Sequence, residues 1–318
     1  MKRAAFVAVV LLLFVALVLP FLLPLPGGSG VEPAEAAQDG GRLVTAAGTT
    51  TFVREVGPAS GPAVVLIHGF GGSTFSWRYT LPALADAGYH AVALDLRGFG
   101  LSEKQFEADH SHAAQAEFVA AVLDELGLER VVLVGHSMGG NVAAHVALRY
   151  PQRVARLALV DGAVVQEGQP ARGGGLLGAL IDFAPARRWM RIGGRLYYTE
   201  GRARAILNSA VADPASVTPE MVAGYHDVSQ VRDWDLALLA IMRDAGHNAL
   251  PQPLSAIEAP TLLIWGAEDT WVPLPAGEAL HEALPGSQLV VLPAAGHLPM
   301  EEEPAPFNEA LLEFLAAP

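Results

Sequence analysis

Arg130-Val131-Val132-Leu133-Val134-Gly135-His136-Ser137-Met138-Gly139-Gly140-Asn141 joins a short β-branched apolar run to a helix-forming one, with a serine at the junction and a glycine two places to either side. The apolar run has the length and composition of a fully buried strand, and Asn141 to Leu148 has those of a helix. Ser137 therefore stands at a strand-to-helix corner. Such a corner holds its serine in strained backbone geometry with the hydroxyl exposed, and positions two before and two after it must lack side chains to avoid collision. A bare G-x-S-x-G would be a glycine-rich turn with an incidental serine; the flanking strand and helix make it a nucleophile elbow.

A serine hydroxyl is a poor nucleophile near neutral pH unless a base takes its proton and a carboxylate orients that base. Pro260 to Gly266 has the pattern of another buried strand, and the loop Ala267-Glu268-Asp269-Thr270-Trp271-Val272-Pro273 after it offers Asp269 as the acid. Gln288 to Leu292 reads as a strand, and Ala295-Gly296-His297-Leu298-Pro299 beyond it offers His297 as the base. Asp161, at the end of the apolar run Leu157–Val160, is the alternative acid. The chain order Ser, Asp, His differs from the two common serine-protease orders.

Charge developing on a carbonyl oxygen needs two preorganised donors, one from the residue after the nucleophile and one from an earlier strand-to-helix loop. Met138 supplies the first backbone N–H. Val64-Val65-Leu66-Ile67-His68-Gly69-Phe70-Gly71-Gly72 runs from strand into glycine-rich loop and supplies the second at Phe70. A phosphate-binding loop is disfavoured, because no Lys-Ser/Thr follows and the spacing fits neither common nucleotide fingerprint.

With these segments the chain resembles an α/β-hydrolase with a cap domain, from about Val53 to Phe314. The resemblance is carried by His68-Gly69-Phe70-Gly71-Gly72, Asp95-Leu96-Arg97-Gly98-Phe99-Gly100-Leu101-Ser102, Gly135 to Gly140, Trp265-Gly266-Ala267-Glu268-Asp269 and Gly296-His297, in the expected order. It implies Ser137 as nucleophile, Asp269 as acid, His297 as base and the amides of Phe70 and Met138 as the oxyanion hole. Dehalogenase and epoxide-hydrolase branches place aspartate at the nucleophile position, and Ser137 argues against both.

The alternation of strand and helix patterns agrees with a doubly wound, mostly parallel α/β sheet: strands at Thr50–Val56, 64–68 and His90–Asp95, helices at Trp77–Ala87 and Ala113–Leu126. In such sheets the ligand crevice lies at the carboxyl ends of the strands, where each candidate residue falls. The rhythm breaks after Asp161. Residues 164–250 carry apolar helical patterns without a strand-like run, which is the expected helical cap between the core segments 42–163 and 251–318. Within it, residues 172–204 hold seven arginines against Asp182 and Glu200, a local excess of +5 that suits either an anionic ligand, lipid headgroups included, or a solvated basic face.

A chain of 318 residues with 52% hydrophobic content can bury one large core, and a net charge of −13 without a basic run argues against nucleic acid as a partner. There are no cysteines, so disulfides and thiolate metal sites are excluded. His110-Ser111-His112 beside Asp109 offers too few ligands for a metal site, His281-Glu282 lacks a zincin's second histidine, and no cofactor is required. His68 and His136 are expected to serve local hydrogen bonding, and Trp77, Trp265 and Trp271 to line core or pocket. Residues 1–26 begin Met1-Lys2-Arg3 and continue apolar from Ala4 to Leu25, interrupted by Pro20 and Pro24. About twenty apolar residues span a bilayer, so the segment reads as an inner-membrane anchor with its basic end cytoplasmic. A signal peptide cleaved after Ala34-Glu35-Ala36 is the alternative; both place the globular part outside that membrane, after a linker at 27–41. The expected chemistry is hydrolysis of a small to medium, largely apolar carboxylic ester through an acyl-serine intermediate. A lactonase, a carbon–carbon bond hydrolase and a cofactor-free perhydrolase use the same residues, and a membrane-tethered binding module without turnover is the alternative of another class.

Overall fold

Aliphatic-rich runs, buried in the central strands and only partly buried in the edge strands β1 and β8, set the strands of an eight-stranded sheet: β1 (Arg42–Ala46), β2 (Thr49–Val56), β3 (Ala63–Ile67), β4 (His90–Leu94), β5 (Val131–His136), β6 (Val154–Val160), β7 (Thr261–Gly266) and β8 (Gln288–Leu292). The computed structural model describes residues 2–28, 30–37, 40–166 and 174–317. The spatial order is β1-β2-β4-β3-β5-β6-β7-β8, with β1 and β2 antiparallel to their neighbours and β4 through β8 parallel. The strand order reverses at β3, so the loops after β3 and β5 diverge and leave a crevice between them, where open α/β sheets bind ligands. Strand β1, which the sequence pattern did not resolve, joins β2 through Ala47 and Gly48 at φ 48° and 72°, the left-handed pair that a two-residue hairpin requires.

The helices follow in chain order. The segments α1 (Lys2–Leu17), α2 (Leu19–Leu22) and α3 (Pro33–Ala36) precede the sheet, and α4 (Thr80–Asp86), α5 (His112–Glu125) and α6 (Met138–Arg149) alternate with its strands. The insertion after β6 contains α7 (Gly175–Asp182), α8 (Ala184–Tyr197), α9 (Glu200–Ala210), α10 (Pro219–Asp227) and α11 (Trp234–Asp244) and, among its described residues, no strand longer than a single bridge. The chain then closes with α12 (Leu274–Ala283), α13 (Pro299–Glu302) and α14 (Pro304–Ala316). Two apolar cores result, one on each face of the sheet. The helix expected over Trp77–Ala87 begins instead as a 3₁₀ turn at Thr74–Trp77, because the Ser73 hydroxyl accepts from the Phe75 amide and tightens the start.

The N-terminal apolar run is not a single span. Helix α1 covers 16 residues, about 24 Å at 1.5 Å per residue, and α2 restarts at Leu19 with Pro20 in its first turn. Proline has no amide to donate back and its ring collides with the carbonyl four residues earlier, so α1 stops short of it. Among the described residues no helix is long and apolar enough to cross a membrane. Nor is the segment 27–41 a free tether where it is described: Val31 forms a bridge with Val231, and Glu32 pairs with Arg232 at 2.7 Å. Both α1 and α2 pack on α8, and Arg188 donates to the carbonyls of Pro20 (3.0 Å) and Leu23 (2.8 Å).

Candidate active site

Ser137 follows β5 directly and opens α6 with φ 50° and ψ −118°, a conformation that L-residues rarely adopt. The close approaches that demand glycine are explicit. A Cβ at Gly135 would lie 2.3 Å from the Gly139 carbonyl oxygen, and one at Gly139 would lie 2.4 Å from that of His68. The corner thus fits only with hydrogen at both places, and it carries Ser137 to the rim of the sheet.

Asp269 and His297 arrive from the ends of β7 and β8. His297 Nδ1–H donates to Asp269 Oδ2 at 2.7 Å, and its Nε2 faces Ser137 Oγ at 3.0 Å, within reach to accept the hydroxyl proton. All three side chains are buried. Asp269 is held rigidly, because its Oδ1 accepts from the amides of Trp271 (2.7 Å) and Val272 (3.0 Å), while Trp265 Nε1 ties down the same loop through the Val272 carbonyl at 2.8 Å. The structure therefore brings together the serine, acid and base expected from the sequence. The Met138 amide lies in the first turn of α6, where helix N–H groups lack an intrahelical acceptor. The Phe70 amide, on the loop after β3, likewise donates to no protein group among the described residues. Gly69 packs so closely that a Cβ there would lie 3.0 Å from that of Ser137, which puts this loop directly beside the hydroxyl.

The supporting histidines are spent on backbone contacts. His68 donates through Nδ1 to the Gly69 carbonyl (2.7 Å) and accepts at Nε2 from the Leu96 amide (3.0 Å); burial lowers its pKa to about 4, which keeps it neutral. His136 donates through Nε2 to the His297 carbonyl at 2.7 Å, and burial followed by the nearby His297 holds it well below the usual imidazole range. His110 and His112 point to different partners, the Gln105 carbonyl and the Asn141 side chain, rather than to one metal-binding centre. Trp77 and Trp265 are core residues, whereas Trp271 is partly exposed and lies 5.1 Å, centroid to centroid, from the His297 ring.

Two supports were not legible in the sequence. Glu302 on α13 accepts from the amides of Gly296 and Leu298, both at 3.0 Å, so one carboxylate grips the backbone on either side of His297. Tyr225 on α10 donates its hydroxyl to Glu301 and contacts Ser76 Oγ at 3.0 Å, joining the helical insertion to the core. Asp161, the alternative acid, is a third neighbour. One of its carboxyl oxygens, one of Asp269 and a ring nitrogen of His297 lie within 4.8 Å of one another, but the imidazole bonds to Asp269 and not to Asp161.

Over Ser137 and His297 lies a cavity of about 550 Å³, walled on the core side by Gly69, Phe70 and Leu298 and on the other by Met190, Ile206, Leu207, Leu238, Leu239 and Met242 of the insertion. The insertion's arginines do not face it as a free basic surface. Arg191 pairs with Asp233 and Asp235, Arg195 with Asp235, Arg187 and Arg202 lie over the rings of Phe106 and Tyr197, and Arg204 donates to the Val217 carbonyl. Arg172 and Gly173 lie outside the described residues.

A family model described as the alpha/beta hydrolase fold matches residues 62–304. The chain is an α/β hydrolase. This α/β hydrolase is 31% identical over 277 residues to an uncharacterized hydrolase of Bacillus subtilis, covering 86% of this chain and 97% of that one. It is 32% identical over 262 residues to a 2-hydroxy-6-oxononadienedioate/2-hydroxy-6-oxononatrienedioate hydrolase of Paraburkholderia phymatum, covering 79% and 86% of the two chains. Among solved structures it is similar to a membrane phospholipase A described as a bacterial virulence factor, with 28% identity, a TM-score of 0.70 and coverage of 99% of this chain and 98% of that one.

Proposed function

We propose that this α/β hydrolase cleaves a carboxylic ester with an apolar acyl part through an acyl-Ser137 intermediate. The observation that carries the reading is the line from Asp269 Oδ2 through His297 to Ser137 Oγ, at 2.7 and 3.0 Å, at the floor of a cavity walled by aliphatic and methionine side chains. In the first half-reaction Ser137 Oγ attacks the ester carbonyl as His297 Nε2 takes its proton. Asp269 stabilises the resulting imidazolium, and the amides of Phe70 and Met138 meet the oxyanion. His297 then protonates the departing alkoxide. In the second half, water gives a proton to His297 and attacks the acyl carbon, releasing the acid and restoring Ser137.

Carbon–carbon cleavage of a dicarboxylate, the latter being the substrate class that the name of the Paraburkholderia relative gives for that protein, is less well supported here. Among the described residues lining the cavity, Lys104 is the lysine or arginine available to a carboxylate, and its ammonium already donates to the carbonyls of Phe99 (2.9 Å), Gly100 (2.7 Å) and Ser102 (2.5 Å). Likeness over nearly its whole length to a membrane phospholipase A favours instead a lipid-like ester. No side chain of α1 is buried, and we place this helix, with α2, in the outer face of the inner membrane's apolar layer with the hydrolase on the extracytoplasmic side. Membrane fractionation, protease protection and the intact mass of the mature chain test that placement; a soluble cytoplasmic enzyme with an intact N-terminus would refute it.

A series of p-nitrophenyl esters of increasing acyl length, with fluorophosphonate labelling of Ser137, tests the chemistry. Turnover should rise from acetate to medium chains as more of the cavity wall is covered. No turnover of any ester, or labelling that survives loss of Ser137, would refute it, and a labelled but inactive protein would point to the carbon–carbon or perhydrolase chemistry.

A further inference from the structure

Asp161 sits at the carboxyl end of β6, fully buried, with φ 43°. Like Ser137 it holds a left-handed backbone that costs about 1–3 kcal/mol, the kind of strain that persists where surrounding contacts fix a residue for a purpose. Its Oδ1 accepts from the Gly266 amide at 2.9 Å, at the root of the Asp269 loop, while its Oδ2 is buried without a donor among the described residues. A buried carboxylate oxygen with nothing to accept from is costly, whereas the same oxygen as a hydroxyl needs an acceptor instead.

That acceptor is at hand. A carboxylate offers about four acceptor positions; Asp269 fills two at Oδ1 with the Trp271 and Val272 amides and one at Oδ2 with His297, leaving one beside Oδ2. Two ionised carboxylates could not share so enclosed a site, and a single proton held between them removes the repulsion. Burial first, and then the Asp269 charge, push the Asp161 carboxyl well above the usual carboxylate range, with Glu302 adding in the same direction. Among the described residues, His297 and Glu302 are the ionisable groups that face the pair.

We propose that Asp161 carries a proton and donates it in a hydrogen bond to Asp269, extending the row Ser137–His297–Asp269 by a fourth, positioning member. It holds the acid's carboxylate toward the imidazole, where the negative charge keeps the proton taken from Ser137 on His297. The proposal rests on Asp269 being the acid of the proposed mechanism, but not on the identity of the ester.

Two measurements test it on the full chain. The infrared spectrum at neutral pH should contain the carbonyl stretch of a protonated carboxyl that disappears in Asp161→Asn and persists in Ser137→Ala. Because no substrate is involved, its absence would overturn the proposal whatever the enzyme hydrolyses. In kinetics, Asp161→Ala should lower kcat about ten- to hundredfold with little change in KM, the scale of one lost hydrogen bond to a charged group. Asp161→Asn, whose amide can make the same donation, should recover kcat to within about threefold of the native enzyme. An asparagine variant as impaired as the alanine one would show that Asp161 acts through charge, and an alanine variant equal to the native enzyme would show that it does not act at all; either result overturns the assignment. Should the alanine variant fail to fold, the spectrum and the asparagine kinetics still decide.

Discussion

Replacing Asp269 by asparagine tests the proposed mechanism at the point where the geometry is most constraining. The asparagine carbonyl must take the place of Oδ1, because the Trp271 and Val272 amides aim two N–H groups there at 2.7 and 3.0 Å. A flip of the amide would forfeit both bonds, at about 1–3 kcal/mol each. The –NH₂ group is thereby turned toward His297 Nδ1, which now has to accept rather than donate. The ring's single proton moves to Nε2, 3.0 Å from Ser137 Oγ, where a base is needed. With the wrong tautomer and no charge to support an imidazolium, kcat should fall on the order of 10⁴-fold, which corresponds to about 5.5 kcal/mol of barrier. The fold should be unaffected, since the shape and both amide bonds are kept. The assay is p-nitrophenyl ester turnover alongside the rate of fluorophosphonate labelling, with thermal unfolding as the control. A loss of less than tenfold with an intact fold would refute the reasoning, and if Asp161→Asn proved the more damaging change, the acid would have been assigned to the wrong strand end.

Ser137→Gly should abolish hydrolysis, by on the order of 10³-fold or more, yet stabilise the protein by about 1 kcal/mol, because glycine relieves the strain at φ 50° and ψ −118°; unchanged turnover or a lower Tm would contradict it. The third prediction concerns pH. Burial lowers the pKa of folded His68 to about 4, against 6.5 when unfolded. Below 6.5 the unfolded state therefore binds the extra proton, and His68 costs stability progressively as pH falls toward 4. Relative to His68→Gln, native stability should decline by about 3 kcal/mol across that window, read from urea midpoints. A stability difference independent of pH would refute it.

What the sequence determined by itself is what short-range stereochemistry encodes. The strand-to-helix corner at Ser137 needs hydrogen at 135 and 139 because backbone atoms approach within 2.4 Å of where their Cβ atoms would stand, and that demand is visible as a glycine two places to either side of the serine. The strands announce themselves by short aliphatic-rich runs, so the ends of β5, β7 and β8, and with them the serine, acid and base, could be placed in order along the chain. The spacing of two residues between strands β1 and β2, with alanine rather than asparagine at the first turn position, gave too weak a hairpin signal to read. Contacts between segments far apart in the chain have no periodicity to betray them. Whether Ala4–Leu25 ran as one helix was decided by Pro20 and by the insertion it packs on, where Arg188 reaches carbonyls 168 and 165 positions away. The arginine-rich stretch suited either a ligand surface or a solvated face, and folding pairs its members with Asp233, Asp235 and aromatic faces. The convergence of Asp161 on Asp269 likewise exists only once the parallel sheet sets β6 and β7 side by side, because Asp161 and Gly266, 105 residues apart in sequence, become adjacent in space.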